Sequence, residues 1–191
     1  GIFRWVSVVL PLIGVKNDES YTVKMTGGPD GDVAGNMLKI MFREHGARVK
    51  VVAISDGTGA LHDADGLDWT ELLRLVHEGL GVSHFDQNKI KSSSGRVVPA
   101  IDKASEQLRN NLHNTVKADL FLPCGGRPYT INDKNWQAFL LPDGKPSAKA
   151  MVEGANIFLT PDARANLEKA GLIAIKDSSA NKGGVICSSY E

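Results

Sequence analysis

Tyr21-Thr22-Val23-Lys24-Met25-Thr26-Gly27-Gly28-Pro29-Asp30-Gly31-Asp32-Val33-Ala34-Gly35-Asn36 changes character twice within one short run. Tyr21 to Thr26 is rich in β-formers and runs directly into glycines, so it reads as a strand entering a tight turn. From Asp32 to Glu44 the apolar residues Val33, Met37, Ile40 and Met41 recur at helical spacing, and Gly46 supplies the stop. Val49 to Ser55 follows as a second strand, dominated by the β-branched residues expected where both faces of a sheet are covered. Strand, glycine turn, helix and strand complete one βαβ unit.

The same alternation continues outward. Asp68, with Glu71 three residues on, predicts a capping box for a helix through about Glu78, and Ala104 to Val116 reads as a polar-faced helix. Ala118 to Leu122 and Ala150 to Val152 read as strands. Thr160-Pro161 opens a helix that ends at Gly171, before a strand from Leu172 to Ile175. Strands alternating with helices imply an α/β fold with a doubly wound, mostly parallel sheet. Phe85 to Pro99 is polar and aperiodic and is expected to be a surface excursion. At 191 residues the chain suits one domain and is too short for two comfortable ones. Residues 1–20 are expected to be a lead-in helix or linker, and residues 21–191 the core.

Composition narrows the function. Acidic and basic residues balance at 22 each, so no global field recommends nucleic acid or an anionic membrane as partner, and a small ligand is preferred. The longest apolar stretch, Trp5 to Val15, is interrupted by Ser7, Pro11 and Gly14 and falls below the ~20 residues that span a bilayer. Two cysteines, Cys124 and Cys187, make no disulfide framework and suit a reducing cytoplasm. Gly1 and Glu191 read as cut ends of a longer protein. The five histidines lack metal-ligand spacing and are expected at surface or cap positions. Asp63, Asp65 and Asp68 are expected to form a solvated turn.

The glycine cluster lies where a dinucleotide pyrophosphate would meet backbone N–H groups and a helix dipole. The dinucleotide fingerprint wants G-x-G-x-x-G/A; here the spacing is Gly28-x-x-Gly31-x-x-Ala34, one residue longer in the first interval. An ordinary tight turn with close helix packing remains an alternative. No G-K-[ST] ends the loop, which argues against a triphosphate-binding loop. Asp56 ends the second strand 28 residues after Gly28, where an acidic residue bonds the adenine ribose and repels a 2′-phosphate. NAD is therefore preferred to NADP; the alternative role for Asp56 is only to start the turn Asp56-Gly57-Thr58-Gly59.

Thr26 to Asn36, Ser55 to Gly59, Leu122-Pro123-Cys124-Gly125-Gly126, Glu153-Gly154-Ala155-Asn156 and Asn181-Lys182-Gly183-Gly184-Val185 follow one another as in the cofactor domain of glutamate dehydrogenases. The wording of Gly27 to Asn36 and of Asn156 to Asp162 resembles the large-subunit NAD-specific class. The resemblance implies a Rossmann-like dinucleotide-binding domain in which Gly28 and the backbone at Asp30, Gly31, Asp32 and Val33 meet the pyrophosphate. It puts Asp56 at the adenosine ribose, Cys124 and Gly125 along the nicotinamide ribose, and Asn156 and Asn181 at the nicotinamide. On the substrate side it implies Gly184 and Val185 against the amino acid and Ser188 on its distal carboxylate. For Cys124 a small packed residue is preferred to a nucleophile, and Asn156 could equally cap the turn before Thr160.

The implied reaction is reversible oxidative deamination of L-glutamate to 2-oxoglutarate and ammonium by NAD, in a homo-oligomeric enzyme. The family's catalytic lysines and proton-moving Asp belong to a preceding domain, and nothing in this chain matches them, so no catalytic residue is assigned and the isolated chain is expected to be inactive. The alternatives are another amino-acid dehydrogenase, of leucine or phenylalanine type, and a non-catalytic nucleotide-binding module.

Overall fold

The structure, a computed structural model, describes residues 1–182. In chain order the elements are α1 (Ile2–Leu12), β1 (Tyr21–Thr26), α2 (Asp32–His45), β2 (Val49–Asp56), β3 (Gly59–His62), α3 (Trp69–Glu78), β4 (Arg96–Pro99), α4 (Lys103–Thr115), β5 (Ala118–Pro123), β6 (Ala148–Val152), α5 (Pro161–Lys169), β7 (Ile173–Ile175) and α6 (Asp177–Ala180). They build one sheet in the order β4-β3-β2-β1-β5-β6-β7. β2, β1, β5, β6 and β7 are parallel, and β3 and β4 run antiparallel at one edge. No helix among the described residues is long and apolar enough to cross a membrane.

Side-chain alternation divides the core by sheet face. Val23 and Met25 of β1, Leu120 and Leu122 of β5, and Ala150 and Val152 of β6 pack with Val6 and Val9 of α1, Leu38 and Met41 of α2, and Leu72 and Leu75 of α3. Phe121 and Met151, one residue out of phase, pack with Phe139, Phe158 and Leu167. With helices on both faces, the central strands are buried almost throughout, as the apolar run of β2 predicts.

The structure departs from the sequence expectations at four places. Gly59–His62 is a strand and Arg96–Pro99, within the expected excursion, pairs with it. Both strands have four residues, too short for a local pattern, and their pairing comes from tertiary contact; β4 is the sheet edge, which tolerates Pro99. The capping box at Asp68 is half formed: Asp68 accepts from the Glu71 N–H, but the buried Glu71 carboxylate turns to Arg74 and the Asp86 N–H. A reciprocal box forms instead between Asp102 and Ser105 at α4. Asp63 is fully buried rather than solvated. Burial opposes its charge, yet N–H groups of Lys91, Asp65 and Ser92 and the Ser92 hydroxyl hold its carboxyl below the ordinary value. Finally, His113 is a core residue, stacked on Phe121. Its desolvation, with Lys24 nearby, pushes the imidazole down to about 4.

Lys24 is itself fully buried in β1. Its Nζ donates to the Val116 carbonyl at 2.8 Å and the Ser147 hydroxyl at 2.5 Å, and sits 4.4 Å from the Phe139 ring centroid. No carboxylate is within ion-pair distance among the described residues. Desolvation therefore holds its ammonium well below the ordinary lysine range. On unfolding the lysine recovers its usual affinity for a proton, so between the depressed folded value and 10.5 the unfolded chain binds more protons. Stability should rise with pH through that window, by up to about 1.4 kcal/mol per pH unit, and Lys24→Met should remove this component of the slope. Urea titrations of both proteins from neutral to alkaline pH measure it; parallel profiles would refute a depressed Lys24.

Candidate functional site

The order of the sheet reverses between β1 and β5. β2 lies on one side of β1 and β5 on the other, so the carboxyl ends at Thr26 and Pro123, partners in register, border a crevice. The two strand ends are tied together there: the N–H groups of Cys124 and Gly125 both donate to the Thr26 carbonyl at 2.8 Å, and the Thr26 hydroxyl donates to the Gly125 carbonyl at 2.6 Å. Gly27, at φ +94°, turns the chain, its N–H donating to the Ser55 carbonyl at 2.8 Å.

The glycines are required by what faces them. A Cβ on Gly27 would lie 2.7 Å from the Gly125 nitrogen; on Gly28, 2.1 Å from Asp56 Oδ2; on Gly35, 2.5 Å from the Pro29 carbonyl oxygen. The extra residue in the fingerprint is absorbed by a turn in which the Gly31 N–H donates to the Gly28 carbonyl at 3.0 Å. Gly31 is then the N-cap of the 14-residue α2, and no side chain caps that helix end. Asp32 opens the helix, and Val33 beside it is left exposed.

Across this turn lies Asp56. Its Oδ1 accepts from the Thr58 N–H and hydroxyl, each at 2.7 Å, and from the Gly59 N–H at 3.2 Å. Its Oδ2, against Gly28, accepts the Val82 N–H at 2.8 Å. The turn-forming role of Asp56 is thus real, and the carboxylate also lines an open cleft of about 940 Å³. Gly28, Asp30, Asp56 and Gly125 border this cleft; Gly31, Asp32, Val33, Cys124, Asn156 and Asn181 do not. The far wall is α4, with Arg109, Asn110 and Asn114, none of which the sequence reading named. The Arg109 Nη1 donates to the Gly57 carbonyl at 3.2 Å, beside Asp56. Only the topology brings α4 there, so no local pattern could have identified it.

Cys124 is buried, and burial pushes its thiol up to about 12, which makes it a packed residue without thiolate character. Asn156 and Asn181 form a second group: Asn181 Nδ2 donates to Asn156 Oδ1 at 2.8 Å and to the Gly154 carbonyl at 3.0 Å. The capping role before α5 belongs to Thr160, which accepts from the Ala163 N–H. Gly184, Val185 and Ser188 lie outside the described residues. Among the described residues no group of three or more His, Cys, Asp or Glu could hold a metal ion.

Comparison with known proteins gives a concordant result. Residues 5–191 match the family described as glutamate/leucine/phenylalanine/valine dehydrogenase. The chain is 41% identical over 197 residues to a probable NAD-specific glutamate dehydrogenase of Schizosaccharomyces pombe, covering 98% of this chain and 17% of that protein. It is 37% identical over 207 residues to the NAD-specific glutamate dehydrogenase of Saccharomyces cerevisiae, covering 100% of this chain and 18% of that one. It thus spans less than a fifth of these relatives' length. The hetero-hexameric glutamate dehydrogenase of Thermus thermophilus, in its leucine-bound form, superposes with a TM-score of 0.66 at 17% identity, over 99% of this chain and 37% of that one, a likeness of fold. With a doubly wound sheet, a glycine turn at its switch point and a family match over nearly its whole length, the chain belongs to the glutamate/leucine/phenylalanine/valine dehydrogenase family.

Proposed function

We propose that this chain is the NAD-binding domain of a glutamate dehydrogenase that interconverts L-glutamate with 2-oxoglutarate and ammonium. The observation that carries the reading is the glycine turn at Gly27 and Gly28, which lines the β1–β5 crevice beside Asp56 and leads into α2, whose N-terminus no side chain caps. At Gly27 and Gly28 a Cβ would collide with Gly125 and Asp56, so bare backbone passes between β5 and Asp56 at the crevice, where a pyrophosphate needs backbone N–H groups. Backbone N–H groups about Gly28, Asp30, Asp32 and Val33, with Gly31 shaping the turn, would hold the phosphates, and Asp56 would accept from the adenosine ribose. Cys124 and Gly125 would flank the nicotinamide ribose, and Asn156 and Asn181 would meet the nicotinamide. The chemistry that bound NAD would supply is acceptance of a hydride from the substrate α-carbon. The substrate-side roles of Gly184, Val185 and Ser188 belong to the same proposal. Glutamate is preferred to leucine or phenylalanine because the curated relatives at 37–41% identity are named for glutamate.

Binding and orientation without a proton-transfer group leave the difficult step unassisted. The isolated chain should therefore bind NAD in a calorimetric titration yet form no NADH with glutamate, even at high protein concentration. Failure of both the isolated chain and the full-length enzyme to bind NAD would refute the cofactor assignment. Turnover by the isolated chain that an Asn181 substitution blocks would show that its catalytic residues had been overlooked.

A further inference from the structure

The amide pair Asn156–Asn181 is backed by Glu153, Arg164 and Asp177, none of which borders the cleft. Asn156 is an exposed residue on the loop after β6, and Asn181 caps the short α6, its N–H donating to the Asp177 carbonyl at 2.9 Å. Between them runs a chain of charged groups. Glu153 is fully buried, and its Oε1 accepts from Arg164 Nη2 at 2.5 Å while its Oε2 accepts the Asp177 N–H at 3.0 Å. The Asp177 carboxylate in turn accepts the Ile157 N–H through Oδ2 at 3.0 Å and the Ser178 N–H through Oδ1 at 2.7 Å. Ile157, next to Asn156, sits at φ +52°, a strained conformation for a β-branched residue that persists only where its surroundings impose it. Asp177 on its N–H and the Tyr129 N–H on its carbonyl, at 2.7 Å, impose it here.

The pair so held has a defined unused edge. Both protons of Asn181 Nδ2 are spent on Gly154 and Asn156. Asn181 Oδ1 and Asn156 Nδ2 have no hydrogen-bond partner among the described residues, so the pair retains one acceptor and one donor, the two functions a primary carboxamide calls for.

We infer that Arg164 and Glu153 are positioning residues for the nicotinamide end of the cofactor, acting through Asp177 and the strained Ile157 to hold the Asn156–Asn181 pair in register with the carboxamide. Arg164 supplies the positive charge that keeps Glu153 usable as an acceptor. Burial, with the Asp177 charge beside it, holds the Glu153 carboxyl above its ordinary range, and Arg164 together with the Asp177 N–H works against that rise. This rests on the proposed NAD-binding function.

The test uses the full-length enzyme and two ligands, NAD and ADP-ribose, which share everything but the nicotinamide. Arg164→Met should weaken NAD by about tenfold, the scale of one misplaced hydrogen bond, and ADP-ribose by less than about twofold; Arg164→Lys should restore most of the loss. Glu153→Gln, which keeps shape but weakens the pairing, should give the same split if Arg164→Met does not fold. Equal weakening of both ligands, or of neither, would make the cluster merely structural and overturn the inference. Wild-type enzyme that binds NAD no better than ADP-ribose would overturn the inference alone, whereas wild-type enzyme that binds neither would overturn the function as well.

Discussion

Gly27→Val is expected to abolish NAD binding and to destabilise the domain by about 2–5 kcal/mol, through left-handed backbone strain and overpacking together. The backbone at Gly27 has φ +94°, which a β-branched side chain does not tolerate. The added Cβ would also meet the Gly125 nitrogen at 2.7 Å and the Cys124 carbonyl carbon at 2.9 Å. Those atoms are main chain, and they cannot retreat cheaply, because the Cys124 and Gly125 N–H groups are both bonded to Thr26 O. Relief would require prising β5 from β1 at the point where the cofactor crevice opens. Gly14 supplies the control. It has φ +83° but nothing within 4 Å of its Cβ position, so Gly14→Val should show the backbone strain without the clash, about 1–3 kcal/mol. Urea midpoints and NAD titrations of the two variants give the comparison. Equal losses in both would mean that the β1–β5 contact at Gly27 has no consequence beyond its dihedral.

Where local physics sets an element, the sequence shows it. The helical spacing of Val33, Met37 and Met41 and the β-branched run of Val49 to Ile54 are short-range signals, and α2 and β2 form there. The cap at Thr160 with Pro161 behind it is another. Tertiary contact hides the rest. Glu71 stands where a capping glutamate would, but Arg74 and the Asp86 N–H draw it inward. Asp63 and His113 look like surface residues until loop and helix close over them. The candidate site divides in the same way: the glycine turn and Asp56 are contiguous with strands and can be read, whereas Arg109 and Asn114 reach the cleft only because α4 folds across β2. Asn156 and Asn181 were placed at one end of the cofactor by resemblance; that they touch each other, and that Arg164 lies behind them, needed coordinates.

Asp56→Asn should weaken NAD by about ten- to a hundredfold, the scale of one hydrogen bond to a charged acceptor, while leaving NADP unchanged or tighter. Oδ1 is saturated by three protein donors, but among the described residues Oδ2 accepts the Val82 N–H alone, and Asp56 lines the cleft, so Oδ2 retains a lone pair. That lone pair is available to a ribose hydroxyl, and its charge repels a 2′-phosphate. In the asparagine variant the carbonyl oxygen will take the site with three donors, turning the amide NH2 onto the Val82 N–H. Two donors then face each other, and a stability loss of about 1–3 kcal/mol should accompany the change in binding. The neighbouring Arg109, already bonded to Gly57 O, offers a cation to the 2′-phosphate once the carboxylate is neutral. Adding Arg109→Met should therefore remove any NADP affinity that Asp56→Asn gains without further weakening NAD. Calorimetric titration of both nucleotides against the wild type, the single variant and the double variant separates the two roles of Asp56. If NAD and NADP weaken in the same proportion, Asp56 acts only by shaping its turn, and cofactor choice must be set elsewhere in the cleft.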